Sequence, residues 1–598
     1  MTVRPKIAPA VVTALTDQAP SRVRRKLDRQ SDVAEGWNWQ QEGDVWTVQA
    51  GNEIVRLAAD GGVVREVDNV TCSCLLSPRC FHALACVHLL ELDDGVGPSK
   101  DESAKADSSE ADSSEVDVDA KDVVTEVALD EAQRDAARLT WNACATVLAT
   151  GARAAGALPQ AEMLRAVHEC RARGLHRLAA SGLRIVESVR QARADKPDFR
   201  LESLNRDLGE SLACAHRLRD AETAARDDVG VARRAYESIP GLRLSGLFSE
   251  SIATRSGYAG VVTYLLTSDQ RVLTVSDVMP GGPERILGAW RGGVQLGDLA
   301  ISHKDLSRAG LFVQKGTASF DGRLGAGKDC QAVTAKAGDW STAPFAELFE
   351  RPLEDQINAV FARSPFLPGD ELLYVRGEVL GVAGPALAFL ANDPRLPLRL
   401  LLRPPSSPVA RENLRLLGRA PGLRLRCIVR LLRSQAGQAE LLALGPDESA
   451  ESNQAPRLVL PESWKGHLSC ALETLERKHL TAAERHPVEL GVVAPATPDG
   501  LGPLERALGR VALGGRHSLP QGSAGRRERE AQRLESQHLP TAATLLRGLS
   551  DEALKVEKAF DGVRFPADPT PLVKRWLAGM AYTEAARRTF ERRSWLET

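Results

Sequence analysis

Apolar residues recur along this chain at two different periods, and the switches between them mark changes in structure. Between Trp46 and Val70 apolar and polar positions alternate in three runs: Trp46 to Val48, Ile54 to Leu57 and Val63 to Val70. Ala50-Gly51-Asn52 and Asp60-Gly61-Gly62 separate them, so the pattern predicts strands joined by tight turns. Phe81 to Leu90 is then a continuous apolar run that reads as a helix. Ahead of the strands, Ser21 to Arg29 predicts a basic helix with Ser21 as its N-cap after Pro20.

From residue 126 the period becomes helical. Leu129, Ala132, Ala136, Leu139, Ala143 and Val147 fall three and four apart until Gly151. Leu175, Leu178, Gly182, Ile185 and Val189 repeat the pattern after Gly174, and Leu201, Leu204, Leu208, Ala215 and Leu218 mark a third long element. Residues 126–238 are therefore expected to form a packed helical domain. Residues 239–450 change to short alternating runs punctuated by Gly281-Gly282-Pro283, Gly292-Gly293 and Pro404-Pro405. Val261 to Leu266 and Arg271 to Val275 flank a Ser268-Asp269-Gln270 turn and predict a hairpin there. Residues 451–598 revert to helix, with candidates at Glu462 to His479, Gly502 to Leu513, Arg526 to Leu549 and Pro571 to Trp595. The expected fold class is multidomain α+β: a small strand-and-helix module over 1–97, a helical bundle, a β-rich domain and a helical C-terminal region.

Composition alters this picture at one place. Residues 98–125 hold nine carboxylates against three lysines, a net −6, and the direct repeat ADSSEADSSE contains no large apolar residue. Such a segment cannot bury enough apolar surface to offset its ordering entropy, so a disordered acidic linker is expected, leaving 1–97 as a tethered module. The length suggests roughly three to five domains. A net charge of −2 gives no global attraction to nucleic acid or membrane. No apolar run approaches the ~18 residues of a membrane helix, and the N-terminal one is too brief for a secretory signal. Ten cysteines without regular spacing outside one cluster fit a reducing cytoplasm. Arginine far outnumbers lysine, a compositional bias that weakens arguments from arginine counts alone.

That one cluster is Thr71 to Leu90, TCSCLLSPRCFHALACVHLL. Cys72 and Cys74 form a Cys-x-Cys pair that a tight turn at a strand end can present together. Pro78 interrupts regular structure, and Cys80 and His82 then open the apolar helix. Three cysteines and a histidine are a standard tetrahedral zinc set, and thiolates gain from the unpaired N–H groups at a helix N-terminus. With all four positions filled by protein, one structural Zn2+ is expected. Cys86 and His88 repeat the spacing one turn later; Cys86 is read as a core thiol, with an alternative role as a ligand. Cys144, Cys170, Cys214, Cys330, Cys427 and Cys470 are read as buried thiols. The motif CSCLLSPRCFH resembles the SWIM zinc finger, Cys-x-Cys, a variable gap, Cys-x-His, as found in bacterial SWIM-domain proteins. That resemblance implies a zinc-clamped β-hairpin and helix, linked in the family to nucleic-acid binding and to protein contacts. It also suggests company with ATPase- or helicase-containing systems, as an adaptor subunit.

Two basic groups are candidates for phosphate contacts: Arg22, Arg24, Arg25, Lys26 and Arg29, opposed only by Asp28, and Arg424, Arg426 and Arg430, which share one face of a strand. No aromatic residue interleaves with the second group, as single-strand binders commonly require. Gly322 to Asp329 nearly spells a P-loop, but Asp329 stands where Mg2+ needs a hydroxyl and the following CQAVTAK alternates like a strand, so a hairpin turn and no nucleotide are expected. No HExxH, G-x-S-x-G or intact P-loop occurs, and catalytic residues dispersed in sequence would escape this reading. The expected function is a non-enzymatic, zinc-binding interaction protein of the cytoplasm, with nucleic acid or protein as partner.

Overall fold

The computed structural model describes residues 4–30, 32–93, 126–230, 236–239, 241–254, 257–319, 322–325, 330–336, 338–362, 367, 369–447, 456–481, 500–519, 524–558 and 564–597. The acidic linker expected over 98–125 lies outside them. Two compact units emerge, and neither is a continuous stretch of chain: Met1–Arg233 with Asp499–Ala585, and Arg234–Pro498 with Ala586–Thr598.

In the first unit, helices α1 (Pro9–Gln18) and α2 (Ser21–Arg29) precede an antiparallel sheet of β1 (Asn38–Glu42), β2 (Val45–Ala50), β3 (Glu53–Ala58) and β4 (Val70–Cys72). Trp46 pairs with Leu57 and Val55 with Cys72, so Trp46, Val48, Val55 and Leu57 are buried as the alternation requires. Helix α3 (Phe81–Leu89) packs on β3 and β4. The expected strand Val63 to Val70 splits in two. Val63 and Val64 are both buried, which one alternating face cannot accommodate, and they pair with Lys6–Ile7 instead. Ser21 is the first helical residue of α2, and Pro20 occupies the N-cap.

Helices α4 (Glu131–Thr150), α5 (Ala157–Ala172), α6 (His176–Arg193) and α7 (Leu201–Leu218) follow, each packed on the next, with α7 returning to α4. Asp130 closes a capping box with Gln133 at the start of α4. Gly151 ends it at φ +84°, and a Cβ there would meet the backbone of Gly515, at φ +72°, at 2.2 Å. That contact, with Ala152 N–H donating to Ala512 O at 2.9 Å, seats helix Gly502–Gly514 in this unit.

The N-terminal module is not a body apart from the bundle, contrary to the tethered arrangement expected. Asp28, which seemed only to dilute a basic helix, accepts from Ala157 N–H at 2.8 Å and so caps α5. Arg193 donates to Asp28 O at 3.0 Å, Arg190 to Leu90 O at 2.9 Å, and Lys196 to Glu35 at 2.7 Å. Helix α1 lies on α5. These partners lie a hundred residues or more apart, beyond any local pattern.

In the second unit the predicted hairpin is present and longer: β6 (Tyr258–Thr267) and β7 (Val272–Pro280), turning at Gln270 with φ +63°. With β5 (Leu242–Ala253), β8 (Gly310–Gln314) and β9 (Gln331–Ala335) they form a five-stranded antiparallel sheet in the order β7-β6-β5-β8-β9. Of the P-loop-like stretch, Leu324–Gly325 pairs with Thr317 and Ala318, and Gly322 turns at φ +77°; residues 326–329 lie outside the described ones, and β9 is a strand where a P-loop requires a helix.

The remaining strands close into a barrel. β10 (Leu372–Ala383), β11 (Ala386–Ala391) and β12 (Arg399–Arg403) are a meander; helix α8 (Pro408–Leu417), capped by Ser407, leads to β13 (Arg424–Leu431) and β14 (Gln438–Pro446). β13 pairs with β10 and β14, and β14 runs parallel to β12, Leu402 beside Ala439. Leu373, Val379, Phe389, Leu400, Cys427 and Leu441 fill the interior. The outer faces of β10, β13 and β14 meet the first sheet through Tyr374, Ile428, Leu442, Phe248 and Tyr264.

The helix expected over Glu462 to His479 is absent. A 3-10 turn at Glu462–Trp464 is broken by Lys465 and Gly466 at φ +45° and +80°, and Leu468–Ser469 pairs with β14. Its leucines are buried, but at strand and turn positions. The C-terminal region is therefore divided between the units. The helix expected over Arg526 to Leu549 breaks at His538, φ +60°, into Ala524–Ser536 and Pro540–Leu554.

His467, 3% exposed and stacked on Trp340 at 4.8 Å, is held down to about 3 by burial and then by Arg308. Its folded value lies below the ordinary 6.5, so its contribution is complete above about pH 6.5 and is lost as pH falls toward 3. Urea unfolding of the full chain is expected to lose about 2 kcal/mol between about pH 6.5 and 5 from this residue. His467→Gln flattens that slope; an unchanged slope refutes the assignment. Among the described residues no helix is long and apolar enough to cross a membrane.

Candidate metal centre

Two elements bring the quartet together. β4 ends at Cys72, held by pairing with Val55, and Cys72 N–H donates to Ser77 Oγ at 2.9 Å. Ser73 exchanges two bonds with Ile54, its N–H donating to Ile54 O and its Oγ accepting from Ile54 N–H, both at 2.9 Å. The loop thus folds back on β3 and aims Cys74 inward. Cys80 is the N-cap of α3, its Sγ accepting from Ala83 N–H at 3.3 Å, and His82 lies on the first turn. A sulfur at this position does what Ser or Asp does elsewhere while keeping lone pairs for a metal.

The ligand atoms of Cys72, Cys74, Cys80 and His82 all lie within 4.8 Å of one another, and Cys72 Sγ stands 3.9 Å from His82 Nδ1. Tetrahedral zinc with ordinary Zn–S and Zn–N lengths separates its ligands by about 3.5–3.8 Å, so the donor set fits one ion with little movement. Burial, with the Cys80 charge adding to it, pushes the Cys72 thiol up to about 12. Burial also raises Cys80 and lowers His82. Clustered thiols that resist ionisation, beside a histidine that resists protonation, want one compensating cation. Among the described residues no other group of three or more Cys, His, Asp or Glu side chains has this geometry.

Cys86 and His88 face elsewhere. Cys86 is fully buried, and His88 Nε2 meets Thr16 Oγ1 of α1 at 2.9 Å, with burial and then Arg190 and Arg193 pulling it down to about 3. His88 thereby joins α3 to α1. The other six cysteines are buried thiols.

The basic helix α2 packs on α3 beside the clamp. Arg22, Arg25, Lys26 and Arg29 are exposed, and the Lys26 ammonium sits 4.0 Å above the Phe81 ring. Arg24 turns back to donate to Thr16 O at 3.3 Å. Beside them the loop adds exposed Arg79 and an apolar tip, Leu75 at 105% and Leu76 at 49% exposure. Sequence spacing singled out the ligands of this loop and passed over its tip.

The second basic group does not form a stripe. Arg430 makes a bidentate pair with Glu250 at 2.7 Å and also meets Glu440 at 3.1 Å. Arg426 faces Asp447 at 3.4 Å and donates to Trp340 O at 2.5 Å. Both are spent inside the unit, where the barrel meets the first sheet, and Arg424 alone is exposed. Parity placed the three on one face; it could not show that this face is covered. No protein-family model matches the chain, and neither does any curated protein or solved structure.

Proposed function

We propose that the chain is a zinc-binding, non-enzymatic interaction protein that takes nucleic acid on the face beside the clamp. The observation that carries this reading is the juxtaposition of a closed Cys3His donor set with the exposed cations of α2 and Arg79. The one acid of α2, Asp28, is turned to α5, so Arg22, Arg25 and Arg29 on the outer face make no ion pair among the described residues. Four protein ligands leave no position for a substrate, so the metal's role is to hold the loop and helix in place. The resemblance of the motif to the SWIM finger supports the same reading. The exposed Leu75–Leu76 tip favours a second one, in which a protein partner covers it and the chain is an adaptor.

Fluorescence anisotropy with a labelled mixed-sequence duplex, across a salt series, separates the two. Arg22→Glu with Arg25→Glu and Arg29→Glu is expected to weaken binding by about tenfold or more and to flatten the salt dependence by about one unit per lost contact. A wild type that ignores duplex at low salt excludes the nucleic-acid reading of this face.

A further inference from the structure

The barrel of the other unit carries an exposed basic wall, independent of the metal. Its connectivity is a meander of three strands, a helix, then two strands that close the wall by pairing with the first and, in parallel, the third. A small five-stranded Greek-key barrel is the architecture of oligonucleotide- and oligosaccharide-binding folds, which receive ligands on the wall of the second and third strands, between the loops joining strands one to two and four to five. Here the outer faces of β10, β13 and β14 are covered by the first sheet. The wall of β11 and β12 presents Arg399 and Arg403, exposed, and Leu390 and Leu401, half-buried. Leu390 is opposite Arg399 and Ala388 opposite Leu401, so these side chains share the outer face. Arg403 donates to Gln435 in the β13–β14 loop at 2.8 Å, which places it at the loop end of that wall.

Charge selects the ligand. Residues 372–446 contain eleven arginines and no lysine, against four carboxylates, a net +7 in a chain of net −2. Counts alone say little in an arginine-rich chain; positions decide. Arg376, Arg426, Arg430, Arg433 and Arg415 have carboxylate partners. Arg395, Arg399, Arg403, Arg411, Arg419 and Arg424 are exposed and make no ion pair among the described residues. We propose that the β11–β12 wall binds single-stranded nucleic acid, with Arg399 and Arg403 contacting phosphates and Leu390 and Leu401 offering the apolar surface between them. Four residues of strand separate the two guanidinium positions by about 13 Å, room for more than one nucleotide. With no aromatic ring on the wall, binding is led by phosphate contacts, tolerant of sequence and steeply dependent on salt.

The test is anisotropy of the full chain with labelled oligo(dT) of about 20 nucleotides, longer than one such barrel covers. Arg399→Ala with Arg403→Ala is expected to weaken binding about tenfold and lower the salt slope by about 1.4, while Arg399→Lys with Arg403→Lys retains most of it. The α2 variant Arg22→Glu/Arg25→Glu/Arg29→Glu should leave the effect of the barrel pair intact, so failure of the α2 face and of this wall are read separately. The proposal is overturned if the wild type ignores oligo(dT) at low salt, if it binds a neutral oligosaccharide instead, if the alanine pair binds as wild type does, or if the α2 variant abolishes the difference.

Discussion

Purified protein is expected to carry about one zinc per chain, and Cys72→Ser with Cys80→Ser to carry none. The same double variant should lose the fold of residues 32–93, because structural zinc supplies about 10–16 kcal/mol in small finger units, more than most domains hold in total. Little else holds the loop: Leu75 is fully exposed and Leu76 half-exposed, and beyond the backbone-directed bonds of Ser73 and Ser77 there is one from Ser73 Oγ to the Glu53 carboxylate. Damage should also reach the bundle, since α3 carries His88 to Thr16 and Leu90 to Arg190. Since the Cys72 thiol sits at about 12 without a cation, metal uptake must displace protons, and affinity should climb with pH across neutrality. Elemental analysis and chelator-dependent proteolysis check these outcomes together. A metal-free wild type, or a serine double variant as protease-resistant as wild type, removes the clamp from the account of this fold.

What the sequence disclosed, and what it hid, follows from the range of each interaction. The metal ligands were legible because four donors fall within eleven residues, and a ligand set is local chemistry. Helices α4, α6 and α7 and the β6–β7 hairpin were legible from periodicity over ten residues or more. β1 was not: NWQQE buries only Trp39, so nothing alternates. Glu462 to His479 misled because Leu468, Leu472 and Leu475 have helical spacing, while Gly466 and the demand of β14 for a partner impose another path. Asp28 shows the limit most sharply, since its role is fixed by a helix start at residue 157. Arg426 and Arg430 make the same point in reverse. A strand face rich in arginine looks solvent-exposed until the carboxylates of Asp447 and Glu250, the latter 180 residues away, are folded against it.

Removing either partner of the Arg308–Glu473 pair is expected to cost the second unit about 3–5 kcal/mol. The two side chains are 4% and 2% exposed, and Arg308 Nη2 reaches both Glu473 oxygens at 2.6 and 2.7 Å. Arg308 also donates to Trp464 O at 2.9 Å and His467 O at 3.1 Å, while Glu473 accepts from Ser469 N–H at 2.8 Å. The pair thus fastens the irregular segment 456–481 onto the first sheet, using hydrogen bonds that no helix or ladder provides there. Glu473→Leu strands a buried guanidinium, and Arg308→Met a buried carboxylate with one remaining backbone donor. The double variant, Arg308→Met with Glu473→Leu, leaves no unpaired charge and is expected to recover much of the loss, because desolvating two ions offsets most of their attraction. Arg547→Ala, which breaks solvent-screened pairs with Glu528 and Glu535, should shift the midpoint little and serves as the comparison. Urea midpoints of these four variants against wild type decide the matter. If each single variant falls within the range of the surface control, the segment is held by Leu468, Leu472 and Leu475 alone; if the double variant is as unstable as the worse single, the carbonyls of Trp464 and His467 need the guanidinium whatever happens to the carboxylate.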